Sequence, residues 1–270
     1  MTTPPPHARR IALPGLGTLE LLPASGYEAH YRPAHGVIGF GFDAQRGVHA
    51  FGSDRRRPYL APPNQLSWVP GGCDVFSRSD SGGEYLCLTF ETPRSSLPDR
   101  RIGAITHRDP LGRGIALARQ FRQILLSDAS PDPLALEQAA LTLEDILIDP
   151  LGEVTAPEAR RMTTQRWRLF TDRVEAELGS TLRLEALAAE LGLSAAAFSR
   201  MVKAACGQSP HSYIMDRRIA RARALILQGA TSLADIAVQT GFSSQAHMAT
   251  AFRKRLGLSP SAFRTGLSGL

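Results

Sequence analysis

The stretch LADIAVQTGFSSQAHMATAFRKRLGLSP, residues 233–260, decides the fold of the C-terminal part of this 270-residue chain. It joins a short apolar-periodic segment, a turn (GFS, 241–243) and an amphipathic segment ending in the cations RKR at 253–255. The small side chain of Ala237 lets two helices approach closely, and Gly241 can take the positive φ that a sharp turn requires. This pattern is typical of a helix-turn-helix.

The same pattern occurs a second time upstream, in LEALAAELGLSAAAFSRMVKAACGQSP, residues 184–210. Matching positions lie 49 residues apart and, after one inserted residue, 50 apart. Gly192 corresponds to Gly241, and Ser194 and Ser243 are the predicted N-caps of the second helices. Two such motifs in register are much harder to obtain by chance than one.

The segment between the motifs, SPHSYIMDRRIARARALILQG at 209–229, predicts one long helix. Ser209 and Pro210 form a cap and an N1 proline, and Gly229 ends the helix. The predicted buried stripe consists of Tyr213, Ile214, Ile219, Ala222, Ile226 and Leu227. Such a helix can hold two recognition helices roughly 34 Å apart, one turn of B-DNA, so that both enter one side of a duplex.

The charge of +6 is unevenly distributed along the chain. Residues 166–270 carry 14 Lys or Arg against 7 Asp or Glu, whereas the other residues carry 17 against 18. From Ser194 onward the ratio is 10 to 2. Such asymmetry indicates a polyanionic partner, although a solvated basic face would give the same count.

The N-terminal half changes character along its length. Residues 1–15 are proline-rich and predict a loose arm, and short alternating runs such as GVIGFGF and EYLCLTF predict a small β-barrel or sandwich. Residues 110–148 predict two antiparallel helices, whose apolar sides must pack on the barrel or on another subunit. We expect a domain at 1–148, a linker at 149–165 and a helical domain at 166–270.

The blocks SLADIAVQTGFSSQAHMATAFRK, GLSPSAFR and G.SPHSYI…RRIARARALI resemble the DNA-binding domain of the AraC/XylS family of transcriptional regulators. The resemblance implies an α+β chain with a cupin-like N-terminal barrel and two helices, followed by an all-α domain with two helix-turn-helix motifs joined by a long helix. In that family the N-terminal module binds small effectors, dimerises, or both. Val202 stands where the family usually has an aromatic residue.

The candidate DNA contacts lie on the second helix of each motif. Gln245 can pair with adenine N6 and N7, Ser244 and Thr250 can contact either partner, and cations such as Lys254 suit phosphate. The resemblance aligns Arg200 with a base-reading position and Arg218 with a structural arginine. For each side chain the alternative is an ordinary polar surface. The full set is Ser194, Ala196, Ser199, Arg200, Lys203, Ser244, Gln245, His247, Thr250, Arg253 and Lys254.

The other candidate sites are weaker. An effector pocket inside the barrel is predicted from Phe40, Trp68, Phe76 and Tyr85, with a filled core as the alternative. The N-terminal histidines lack the His-x-His, Glu and later His spacing of a metal cupin. Neither a nucleophile elbow nor a phosphate-cradling loop occurs, so we expect no metal, no cofactor and no enzyme. The three cysteines have neither disulfide nor zinc spacing.

The sequence therefore predicts a DNA-binding transcriptional regulator controlled by a small-molecule effector. The alternatives are an effector-free regulator whose barrel only dimerises, and a cupin-type enzyme fused to a DNA-binding module. Expected partners are double-stranded DNA, RNA polymerase, an effector and a second copy bound through the helices at 112–149. The chain lacks a long apolar run or signal segment, so we expect a cytoplasmic protein away from the membrane.

Overall fold

The computed structural model describes residues 9–94, 96–97, 113–127, 132–148 and 162–268. The chain divides into two units, Met1–Thr155 and Ala156–Leu270. Most of the predicted linker, residues 149–161, lies outside the described residues, so the predicted domain limits stay predictions.

Antiparallel strands in two sheets make up the first part of the N-terminal unit. They are β1 (Arg9–Leu13), β2 (Gly17–Leu22), β3 (Tyr27–Tyr31), β4 (Gly36–Gly41), β5 (Gln45–Phe51), β6 (Arg57–Ala61), β7 (Gln65–Pro70), β8 (Val75–Ser79) and β9 (Tyr85–Phe90). The five-stranded sheet has the order β1-β2-β9-β4-β7, and the four-stranded sheet has the order β3-β8-β5-β6.

The apolar core of this unit lies on one face of the five-stranded sheet. Strand register aligns Leu19, Leu88, Ile38 and Trp68 in one row across that face. Helices α1 (Arg113–Leu126) and α2 (Pro133–Ile148) cover this face of the sheet with side chains such as Phe121 and Leu143, both almost fully buried. The apolar sides of the two predicted helices are therefore used within the chain.

Two features of the N-terminal unit differ from the prediction. Residues 9–13 of the predicted loose arm form β1, because they pair with β2 and bury Leu13, and residues 1–8 lie outside the described residues. The described strands pair as two separate sheets and close no barrel. The coarser expectation of an N-terminal β-rich unit and a helical C-terminal unit is confirmed.

The described C-terminal unit is helical. Its elements are α3 (Thr164–Ala176), α4 (Leu184–Glu190), α5 (Ala195–Cys206), α6 (Pro210–Gln228), α7 (Leu233–Gln239), α8 (Gln245–Leu256) and α9 (Pro260–Ser268). Helices α4 and α5 form the first helix-turn-helix, α7 and α8 form the second, and α6 joins them.

The turns and caps follow the local chemistry of the sequence. Gly192 and Gly241 have φ of 67° and 79°, and Gly229 ends α6 with a φ of 77°. Ser194 caps α5 by accepting a hydrogen bond from the Ala197 amide. The predicted cap Ser243 is wrong, because the inserted residue moves the cap of α8 to Ser244.

No helix in the described ranges is both long and apolar enough to span a bilayer. Within the same residues, no group of three or more His, Cys, Asp or Glu side chains is placed to hold a metal ion.

Candidate nucleic-acid interface

Helix α5 has one buried and one exposed side. Phe198, Val202 and Cys206 are fully buried and fix the helix to the core of the unit. Ala196, Arg200 and Lys203 are exposed on the other side, at the i, i+4 and i+7 spacing that places side chains on one face. The half-buried Ser199 lies beside them. The predicted contact residues of this helix thus share one solvent-facing surface.

Helix α8 repeats this arrangement with different side chains. Met248, Phe252 and Leu256 are buried at i, i+4 and i+8. The exposed residues are Gln245, Ala246, His247, Thr250, Arg253 and Lys254. Besides an alanine, α8 presents amide and imidazole groups that α5 lacks, so the two helices offer unequal hydrogen-bonding surfaces.

Two of the predicted contact residues are also N-caps of the candidate recognition helices. Ser194 accepts a hydrogen bond of 3.2 Å from the Ala197 amide, and Ser244 accepts one of 3.1 Å from the His247 amide. Each serine satisfies an amide that the first helical turn leaves without a partner. Their hydroxyl hydrogens stay available for a second contact.

The orientation of His247 is fixed by the turn that precedes α8. Its Nδ1 lies 3.0 Å from the Ser243 hydroxyl, and its ring is perpendicular to the Phe242 ring, with 5.4 Å between the two ring centroids. Because Nδ1 is occupied, Nε2 is the imidazole nitrogen left for an outside partner. Ser243 is not among the predicted contact residues, although its position four residues before His247 is a signal for such a contact.

Some arginines and lysines of this unit form ion pairs, whereas others, including the exposed Arg183 and Arg221, form none among the described residues. Several are held in internal ion pairs, among them Arg173 with Glu177 at 2.8 Å and Arg217 with Glu175 at 2.6 Å. Among the residues that the structure describes, the exposed cations of α5 and α8 make no ion pair. These cations are Arg200, Lys203, Arg253 and Lys254.

Arg255, the last cation of the RKR sequence, differs from its neighbours. It forms an ion pair with Asp216 of α6, and the two side chains are only 14% and 19% exposed. It therefore ties α8 to the joining helix, whereas Arg253 and Lys254 face solvent.

Arg218 links separate parts of the helical unit. Its guanidinium donates hydrogen bonds to the carbonyls of Leu178, at 3.2 Å, and Ser180, at 2.8 Å. It also lies against Gly241, where a β-carbon would come within 2.8 Å of its Nε and Cζ atoms. Burial lowers the pKa of this guanidinium. The structural role expected for Arg218 agrees with these contacts.

The four predicted effector-pocket residues do not come together. Phe40 and Trp68, each 2% exposed, belong to the core between the five-stranded sheet and the helices. Phe76 lies on the outer face of the four-stranded sheet beneath the Arg56 guanidinium, 4.0 Å from its ring centre. Of the four residues, only Tyr85 lies on the face of the five-stranded sheet opposite to the helices, where its hydroxyl is next to that of Ser67. The structure thus places the members of the set on different sheet faces, and the predicted effector pocket stays a prediction.

Two helix-turn-helix motifs joined by one helix define the C-terminal unit as a DNA-binding module. Comparison with known proteins agrees with this class, since a helix-turn-helix domain family matches residues 187–266. The transcriptional regulator ExsA of Pseudomonas aeruginosa is 30% identical over 229 residues, which are 77% of this chain and 80% of ExsA. The chain belongs to the AraC/XylS family and is a DNA-binding transcriptional regulator.

Other similar proteins carry related names. The transcriptional activator RhaS of Escherichia coli O6:H1 is 24% identical over 270 residues, covering 92% of this chain and 91% of RhaS. A solved regulator with an AraC-type DNA-binding domain, from Chromobacterium violaceum, is 26% identical with a TM-score of 0.37. The aligned region covers 38% of this chain and 93% of the Chromobacterium violaceum chain.

Proposed function

We propose that the protein is a sequence-specific regulator whose helices α5 and α8 enter successive major grooves on one side of a duplex. The observation that carries this proposal is the contrast in ion pairing within the C-terminal unit. Arg217 and Arg255 have acidic partners, whereas the exposed cations on the two candidate recognition helices have none among the described residues. Cations without internal partners are free to bind phosphate and release its counterions.

In this proposal, helix α8 makes most of the hydrogen bonds to base edges. The Gln245 amide can pair with adenine N6 and N7, Thr250 can contact a base or its methyl group, and His247 presents Nε2. On α5, Arg200 can bind guanine O6 and N7, but Ala196 can contact only a thymine methyl group. Lys203, Arg253 and Lys254 set affinity through phosphate contacts that carry no sequence information.

We also propose that the N-terminal unit is a cupin-like module that senses an effector and dimerises. The exposed Leu134 of α2, 73% accessible, supports a two-fold contact through these helices. RNA polymerase completes the set of proposed partners. A full-length protein that is monomeric in equilibrium sedimentation would contradict the dimer. If the regulator has no effector, its affinity for DNA should be the same in the presence and absence of every small molecule tested.

Selection of bound duplexes from a random library by the full-length protein tests the DNA-reading proposal. We expect an enriched site with two parts spaced about 10 base pairs apart, one helical turn, of which one carries most of the sequence information. The triple variant Gln245→Ala, His247→Ala, Thr250→Ala should remove the information from that part. Enrichment of unrelated sequences, or an unchanged site for the variant, would overturn the assignment.

A further inference from the structure

The second helix-turn-helix motif carries two adjacent serines where the first motif carries one. Ser243 corresponds to Ser194 in the repeat, and the inserted residue gives the second motif Ser244 as well. Ser244 caps α8 by accepting a hydrogen bond of 3.1 Å from the His247 amide. The insertion therefore leaves the Ser243 hydroxyl without a capping role.

The Ser243 hydroxyl contacts the ring of His247 instead. Its oxygen lies 3.0 Å from Nδ1, and it makes no other hydrogen bond among the residues that the structure describes. Within the same residues His247 forms no ion pair, so no carboxylate competes for Nδ1. A carboxylate can only accept, whereas a hydroxyl can donate to a neutral ring or accept from a protonated one.

The imidazole of His247 is also held from the side of the core. Phe242 is 4% exposed, and its ring is perpendicular to the imidazole. Main chain and ring of the exposed His247 are thus both fixed by neighbouring residues. Ordering a side chain in advance lowers the conformational-entropy cost of a later contact.

The outward Nε2 of His247 is a hydrogen-bond donor in this arrangement. In the neutral ring Ser243 donates to Nδ1 and the ring hydrogen is on Nε2, and in the protonated ring both nitrogens carry hydrogen. Nε2 would accept only if Nδ1 carried the hydrogen of the neutral ring. The Ser243 hydroxyl hydrogen would then have no acceptor in the described part of the chain.

A donor on α8 selects among the base edges of the major groove. Guanine offers two adjacent acceptors there, O6 and N7, whereas adenine places the N6 donor beside its N7 and cytosine offers only a donor. Guanine is therefore the base that suits an outward Nε2–H best.

We propose that Ser243 is a positioning residue, which holds His247 so that its Nε2–H donates to O6 or N7 of a guanine. This inference rests on the proposed function and assigns a base to His247, next to the adenine proposed for Gln245. Ser243 contributes to specificity through the histidine and makes no contact with DNA itself.

The state of the imidazole is tested without DNA, by long-range proton–nitrogen correlation spectra of the full-length protein labelled at histidine. The His247→Gln variant identifies the His247 signals by their absence. At mildly alkaline pH, where an ordinary imidazole is neutral, we expect the hydrogen on Nε2 in the parent and in Ser243→Thr. Ser243→Ala should populate the Nδ1–H form more. Hydrogen on Nδ1 in the parent, or equal populations in the two serine variants, would overturn the proposal.

Base recognition is measured by competition binding, with each base pair of the selected duplex varied in turn. The parent should prefer G·C at one position by about fivefold, the value of one hydrogen bond, and His247→Ala should abolish that preference. Ser243→Ala should reduce it about threefold, and Ser243→Thr, which keeps the hydroxyl, should retain it. Inosine keeps O6 and N7 and should bind as guanine does.

The double variant Ser243→Ala, His247→Ala should equal His247→Ala, because the serine acts through the histidine. Ser180→Ala, an exposed serine outside both motifs, is the matched control and should change neither measurement. A further loss in the double variant would show a direct contact of Ser243, and an equal loss for all duplexes would show a phosphate contact.

Either of these results, or an unchanged preference in Ser243→Ala, refutes the positioning role while the regulator stands. If no duplex is selected at all, the proposed function fails, and the spectra still test the contact between Ser243 and His247.

Discussion

Arg122 of α1 donates a 3.0 Å hydrogen bond to a carboxylate oxygen of Glu84, and both residues are buried. The same guanidinium lies 4.4 Å from the centre of the Phe42 ring, and the Glu84 amide donates to Asp43 at 2.9 Å. The ion pair thus connects α1 to the loop before β9, one residue from Tyr85.

Removing one partner of this pair should strongly destabilise the N-terminal unit. We expect Arg122→Met to lower the free energy of unfolding by about 3–5 kcal/mol, because a carboxylate is left buried without its cation. The double variant Arg122→Met, Glu84→Leu should recover most of that loss. Urea unfolding followed by near-ultraviolet circular dichroism measures both, and an Arg122→Met protein as stable as the parent would contradict the prediction.

The two turn glycines should respond differently to the same substitution. Gly192→Ala should cost about 1–2 kcal/mol, since alanine is strained at positive φ but its β-carbon would meet nothing within 4 Å. Gly241→Ala should cost about 1–3 kcal/mol more, because the β-carbon would lie 2.4 Å from the Leu178 carbonyl oxygen. Thermal unfolding of the two variants makes the comparison, and equal losses would show that the turn at Gly241 relaxes.

Gln245→Ala should relax the preference for one base pair by about 1–3 kcal/mol while leaving binding to random DNA unchanged. The reason is that the exposed amide supplies a bidentate base contact and adds little to phosphate affinity. Competition binding with single-base operator variants measures the preference. Gln228→Ala, an exposed glutamine at the end of α6, is the control. If the variant keeps the parental base preference at every position of the operator, Gln245 is an ordinary surface residue that contacts no base.

Lys254→Ala should weaken binding to all duplexes alike and reduce the slope of log K against log salt by about 1. Arg217→Ala removes the same charge from the unit but breaks an internal pair with Glu175, so its slope should stay at the parental value. Titrations between low and physiological salt give both slopes. Equal reductions in the two variants would indicate a general field effect instead of a phosphate contact.

Thiol reactivity should separate the three cysteines. Burial raises the pKa of Cys87 and of Cys206 to about 12, so both thiols stay protonated and unreactive well below that pH. Cys73 and Cys87 are both partly accessible, but the raised pKa of Cys87 keeps its thiol protonated. Iodoacetamide at mildly alkaline pH should therefore label Cys73 first and the other two only after unfolding. Mass spectrometry of peptides from folded and urea-treated protein gives the order, and early labelling of Cys206 would contradict it.

The helical unit was largely predictable because its signals are local. Ser194, Gly229 and the turn glycines act within a few residues of their own positions, so the chain order alone indicates caps and turns. Periodicity predicts that Leu227 belongs to the buried stripe of α6, but this residue is 53% exposed, because periodicity cannot tell where a helix end extends beyond its neighbours. Chain order alone predicts Ser243 as the cap of α8, whereas the turn geometry places the one-residue insertion so that Ser244 is the cap.

The N-terminal site was not predictable in the same way. Alternation along a strand shows that Phe40 and Gly39 face opposite sides, but it does not show which side faces the helices. Only the long-range register places Gly39 beside Cys87 and Ser67 and brings the Tyr85 hydroxyl next to that of Ser67. Long-range pairing of this kind is not encoded in any single stretch.

The alanine at the outward position of α5 has a consequence for the genes under control. A methyl group distinguishes bases weakly, so duplexes that differ beneath Ala196 would be bound with similar free energy. If α5 and α8 bind DNA as proposed, promoters could accumulate substitutions at the base pair beneath Ala196 without escaping the regulator. The target set would then be free to grow or drift at that position, while the base pairs beneath Arg200 and Gln245 stay under selection.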